Sequence, residues 1–158
     1  MHLVNIHGRR LMDVPSLAGA NLALANLRAV DLTGMALADA QLDGSDLRDG
    51  QLLRITASGA SLAGALLMRA NLQGADLSEA DLSFASLEGA DLRGADLRGA
   101  DLRRTNLMGA NLERADLRGT DLRHARISGA SLVGALCDAS TLWPDGCDPS
   151  ALGLLLLE

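Results

Sequence analysis

Residues 90–100 read Ala90-Asp91-Leu92-Arg93-Gly94-Ala95-Asp96-Leu97-Arg98-Gly99-Ala100, two copies of one five-residue unit and the start of a third. The unit continues in both directions without a change of register. It gives 26 consecutive pentapeptides over residues 15–144, with centres at 17, 22, 27 and so on to 142. Leucine fills 23 of the centres, the exceptions being Ala57, Ile127 and Cys137, and alanine stands two residues earlier in 17 of the 26. Residues five apart on a helix differ by roughly 140°, so the leucines would scatter around it. On a straight strand an odd period sends successive leucines to opposite faces. The backbone must therefore turn once per repeat, and equal turns at equal intervals wind it into a solenoid.

With the centre called i, leucine at i and alanine at i−2 are expected to point inward, which makes the bore narrow. Where i−2 grows, a neighbouring centre can shrink, as with Ile55 before Ala57. Position i−1 is Asp or Asn in 14 repeats, residues that bond nearby backbone and favour turns. Position i+2 is glycine in 13, which suits a corner of unusual φ/ψ. Position i+1 varies, is often charged, and is expected to face water.

The pattern A-[D/N]-L-x-G, complete in residues 70–74 and with another residue in its last place in 75–79 and 110–114, resembles the pentapeptide repeat family. The resemblance covers 130 of 158 residues. It implies an all-β fold, a right-handed quadrilateral β-helix with four pentapeptides per coil. Twenty-six repeats then make about 6.5 coils, in a rod about 30 Å long. The expected organisation is an N-terminal cap over residues 1–14, the β-helix over 15–144 and a C-terminal cap or dimerisation tail over 145–158. Leu142 is expected to face inward, below Leu122.

Composition bounds the chemistry. The interior has almost no aromatics, with one Phe, one Trp and no Tyr in the chain. The net charge of −6 is uneven: residues 127–158 carry four acids and no base, leaving the solenoid body near neutral. The first ten residues contain no apolar run of signal-peptide length and the four leucines 154–157 are too short to span a bilayer, so a cytoplasmic location and no membrane partner are expected. Cys137 occupies an inward centre, which favours buried free thiols over a Cys137–Cys147 disulfide.

At the ends, Leu3, Val4 and Ile6 are expected to form a strand over the first coil. Residues 142–149 include the turn signal Pro144-Asp145-Gly146. Similar W-P-D-G-x-D-P segments follow the repeats in bacterial members of the family. Trp143, Leu152, Leu154, Leu155, Leu156 and Leu157 then either cap the last coil or pair two protomers end to end. A monomer and an end-to-end homodimer both fit.

No catalytic, cofactor-binding or metal site is expected. His2, His7 and His124 have no Cys or His at ligand spacing. Asp76, Asp96 and Asp116 stack on one face and Asp81, Asp101 and Asp121 on another. Acids so close could raise one another's pKa or bind cations. Arginines two residues on, as in Asp101/Arg103, point instead to solvated mixed-charge ladders. The candidate partner surface is apolar and outward: Phe84 beside Arg104, the group Leu66, Met68 and Met108, and Leu53 on a third face. The expected function is a non-catalytic interaction or scaffold protein with a protein partner. The family resemblance adds an alternative, mimicry of DNA toward DNA gyrase or a related topoisomerase, as some members do. Direct nucleic-acid binding is not expected, because Arg103, Arg104, Arg123 and His124 are interleaved with acids.

Overall fold

Five backbone N–H groups recur in every repeat, and their partners explain the architecture. In the computed structural model, which describes residues 1–13 and 15–157, four of the five bond to backbone. The repeat beginning at Ser45 is representative of the geometry. Leu47 N–H donates up to Leu66 O at 2.8 Å, and Asp46 N–H donates down to Ala25 O at 2.9 Å. Asp49 N–H reaches Met68 O at 3.1 Å, and Gly50 N–H closes the turn onto Leu47 O at 3.1 Å. The fifth group, at i+1, has no ladder partner. Arg48 N–H therefore bonds Asp46 Oδ1 at 3.2 Å. The same bond recurs at Asn71–Gln73, Asp91–Arg93 and Asn111–Glu113. The Asp and Asn at i−1 satisfy the one amide the winding leaves over. Where i−1 is Ser61, Asp43 of the preceding coil supplies the oxygen to Ala63 N–H at 3.1 Å.

These bonds make four parallel ladders, starting at Asn21, Asn26, Asp31 and Ala36, in which each residue bridges one 20 positions later. The fold is all-β, and its only helix is one turn of 3-10 helix, Pro149–Leu152, among the described residues. Inside, the centres and the i−2 residues form one continuous core from Leu17 to Ala135. Ile55 and Ala57 are both buried, at 2% and 0% exposure.

The turns carry a constraint that the composition only half discloses. All 24 i+2 residues from Gly19 to Gly134 have left-handed backbone, and eleven of them are not glycine. Each such residue costs roughly 1–2 kcal/mol relative to an ordinary conformation.

The period breaks once, contrary to the unbroken register expected from the sequence. Asp121 bridges Leu142, 21 positions on, where every earlier rung spans 20. One extra residue enters around Asp138. Thr141 thereby becomes the inward i−2 residue, 6% exposed, and Leu142 moves out to the ladder position, 41% exposed. Trp143 takes the place at the end of the core expected for Leu142, half-buried against it.

Both ends are covered. Strand β1 (His2–Val4) pairs antiparallel with β2 (Arg10–Asp13), and Leu3 is fully buried. Ile6 N–H reaches Ala29 O, and Val4 O receives Asp31 N–H. The segment thus occupies the edge that a preceding coil would have filled. Ile6 itself lies outside the strand and is exposed. At the other end, β4 (Leu155–Leu156) adds in parallel to β3 (Leu136–Cys137), extending one ladder. Leu152 and Leu154 pack on the core, while Leu155, Leu156 and Leu157 remain exposed. Val14 and Glu158, the last residues of the two expected caps, lie outside the described residues. No helix among the described residues is long and apolar enough to cross a membrane.

Candidate interaction surface

The long faces are tiled by Asp–Arg forks. Arg48, Arg93, Arg98, Arg103, Arg118 and Arg123 each fold back on the aspartate two residues earlier, through both Nε and Nη2. The Arg103 fork measures 2.9 Å from Nε to Asp101 Oδ1 and 2.5 Å from Nη2 to Asp101 Oδ2. Oδ1 accepts the Arg103 backbone N–H as well, at 3.0 Å. The sequence places these residues adjacent on one face, and the backbone bond orients the carboxylate toward its arginine. The arginine forks hold the carboxyls of Asp46, Asp91, Asp96, Asp101, Asp116 and Asp121 below the usual carboxylate range, against an opposing effect of burial. For Asp96, Asp101, Asp116 and Asp121, the raised values that stacked acids could produce are therefore replaced by lowered ones. Each fork is neutral overall. Among the described residues, no cluster of His, Cys, Asp and Glu could hold a metal ion. Cys137 and Cys147 are free thiols, and burial pushes both above the ordinary range.

The outward apolar residues separate into two kinds. Leu53, Leu66, Met68 and Met108 are half-buried between neighbouring coils. Phe84 stands clear at 63% exposure, with the Arg104 guanidinium 5.6 Å from its ring centroid. Ser83, Phe84, Arg103, Arg104, Arg123 and His124 line an open cleft of about 270 Å³. Leu24, which sequence reasoning passed over, is the most exposed large apolar residue among the described residues, at 82%. It occupies the same corner column as Phe84, and its side chain lies over Gly44. The signal was present as leucine at an i+2 position where glycine predominates. A second groove, bounded by Met108, Ile127 and Cys147, lies between the last coils and the C-terminal turn.

This is the geometry of an all-β repeat protein whose coils stack in four parallel ladders. The pentapeptide repeat model matches in eight copies, over residues 16–49, 54–83, 75–114 and 100–136, and the chain belongs to the pentapeptide repeat family. It is similar to the crystal structure of alr5209, a pentapeptide repeat protein from Nostoc PCC 7120. The identity is 43% over 65% of this chain and 84% of that one, with a TM-score of 0.64. HetL, a pentapeptide repeat protein from the same organism involved in heterocyst differentiation regulation, is 30% identical over 89% of this chain and 70% of its own, with a TM-score of 0.51. QnrB1, a plasmid-mediated fluoroquinolone resistance protein, shares the fold at 16% identity, over 90% and 92% of the two chains and with a TM-score of 0.52. No curated protein matches the chain.

Proposed function

We propose that the chain is a non-catalytic, protein-binding rod: a right-handed β-helix of about 6.5 coils whose rigid corners present side chains to a partner. The observation that carries this reading is the contrast between the neutral, self-satisfied forks and the corner where Phe84 and Arg104 stand exposed. Groups already paired within the protein contribute little to a partner, whereas an exposed aromatic beside a cation is a common binding anchor. A cytoplasmic location belongs to the same reading. The test is affinity capture with the intact chain, followed by calorimetry of each recovered protein against surface variants. Specific binding that no surface substitution weakens, or no specific binding at all, rejects the reading.

The fold shared with QnrB1 raises a second reading, mimicry of DNA toward gyrase. The rod shape favours it. The neutral forks count against it, since a mimic of DNA needs extended negative potential. A supercoiling assay with DNA gyrase, with and without a quinolone, decides between them: protection or inhibition supports mimicry, and an unchanged assay removes it.

A further inference from the structure

Three successive coils place Phe84, Arg104 and His124 at one corner, all with left-handed backbone at φ 59, 59 and 61°. Glycine fills thirteen of the 24 equivalent positions, so the turn itself requires none of these side chains. Phe84 carries both the backbone cost and the cost of an aromatic ring left in water. Within the fold, its ring meets Arg104.

Arg104 differs from its neighbours. Among the described residues no carboxylate lies within ion-pair distance of it, whereas Arg103 and Arg123 are forked onto Asp101 and Asp121. Those forks use Nε and Nη2, which leaves each Nη1 outside the fork. The cleft therefore combines one whole guanidinium, two spare guanidinium edges, an imidazole and an aromatic wall. A planar carboxylate matches the Arg104 fork. Toward the N-terminus the same column continues as Gly64, with open space above its Cα, then Gly44 and the exposed Leu24. The corner is thus cationic at one end and apolar at the other. Phe84 to His124 spans two coil spacings, about 10 Å, or three residues of extended chain. Arg104 is the one guanidinium of this cleft outside a fork, short of the row of free cations that a phosphate backbone needs. A single carboxylate docked at Arg104 needs only that one guanidinium.

We propose that this corner receives an extended acidic segment of a partner protein, with a carboxylate on Arg104 and His124 and an apolar side chain against Phe84. The proposal rests on the protein-binding reading above and narrows it to one surface and one chemistry.

The experiment is fluorescence anisotropy of the intact chain with a fluorescein-labelled hexapeptide of alternating glutamate and leucine. A lysine-leucine hexapeptide and a single-stranded DNA dodecamer serve as comparisons, and Arg104→Ala, Phe84→Ala and Arg114→Ala as variants. All three residues are exposed, and a thermal melt confirms folding of each variant. Saturable binding of the acidic peptide is expected, about tenfold weaker in Arg104→Ala and about threefold weaker in Phe84→Ala. Arg114→Ala, a cation on another corner, should leave it unchanged. Equal binding of the lysine peptide, or no effect of Arg104→Ala, overturns the proposal. DNA binding that depends on Arg104 while the peptide does not bind assigns the corner to phosphates and also overturns it. A captured partner indifferent to Arg104→Ala rejects this corner but leaves the protein-binding reading standing. Absence of any partner rejects the broader reading.

Discussion

The Thr141 hydroxyl donates to the Leu117 carbonyl at 2.9 Å, as Thr120 does to Leu97 and Thr105 to Leu82. Thr105 and Thr120 are i−2 residues, so Thr141 has taken the position that a strict period assigns to Ser140. The displacement of Leu142 follows. Leu142→Ala should cost under about 1 kcal/mol, as a surface change does. Leu122→Ala should cost about 2–5 kcal/mol, as core truncation does. Urea unfolding of the two variants checks this, and equal losses would restore the unbroken register.

Gly50 stands at an i−2 position where alanine predominates, so the repeat pattern alone favours Gly50→Ala. The structure reverses the sign. A Cβ there would lie 2.9 Å from the Leu47 carbonyl oxygen and 2.9 Å from Leu52 Cδ1. The carbonyl is fixed by its turn bond and cannot move aside. A loss of about 1–3 kcal/mol is expected on denaturant titration, and a gain would show that the core relaxes around the added methyl.

Ser45 is fully buried, and its hydroxyl has no hydrogen-bond partner. Removing an unsatisfied buried group relieves a desolvation cost. Ser45→Ala should raise stability by about 1 kcal/mol. A lower melting temperature for this variant would mean the hydroxyl is satisfied after all.

Ala29 has φ 55°. In ordinary helix or strand backbone an alanine-to-glycine change destabilises. Here Ala29→Gly should stabilise by about 1 kcal/mol, because glycine has no Cβ to strain in that region. Chemical denaturation gives the sign directly.

The forked aspartates make stability depend on acid. Their carboxyls are held below the ordinary range in the folded chain, chiefly by arginine. Their contribution is therefore present above the unfolded aspartate value of about 3.9 and lost as pH falls through the folded values. The melting temperature should be level between about pH 7 and 5 and fall below about pH 4. Asp101→Asn should reduce that fall. A melting temperature identical at pH 3 and pH 7 would show that the forks add nothing.

The core and the candidate surface differed in how far the sequence revealed them. Leu22 and Leu102 could be placed inside from spacing alone, because only a once-per-repeat turn returns every fifth side chain to one axis. Phe84 and Arg104 could be paired for the same reason, being 20 residues apart on one corner. The pairing of Arg103 with Asp101 was legible from their two-residue spacing, but the isolation of Arg104 could not be read this way. Arg104 stands at i+2, where no aspartate precedes it by two residues, and only side-chain geometry shows that no carboxylate among the described residues comes within its reach.

By itself, the sequence determined the period, the inward faces and the role of Asp and Asn at i−1, since these follow from local chemistry repeated 26 times. Tertiary structure alone decided the slip at Asp138, the tight fit around Gly50, the left-handed strain at Ala29 and Phe84, and the seating of the tail on β3. The slip and the tail depend on ladder partners 21 and 19 positions away, invisible within a single repeat, whereas the fit around Gly50 and the strain at Ala29 and Phe84 depend on the shape the turn itself takes once the coil is wound.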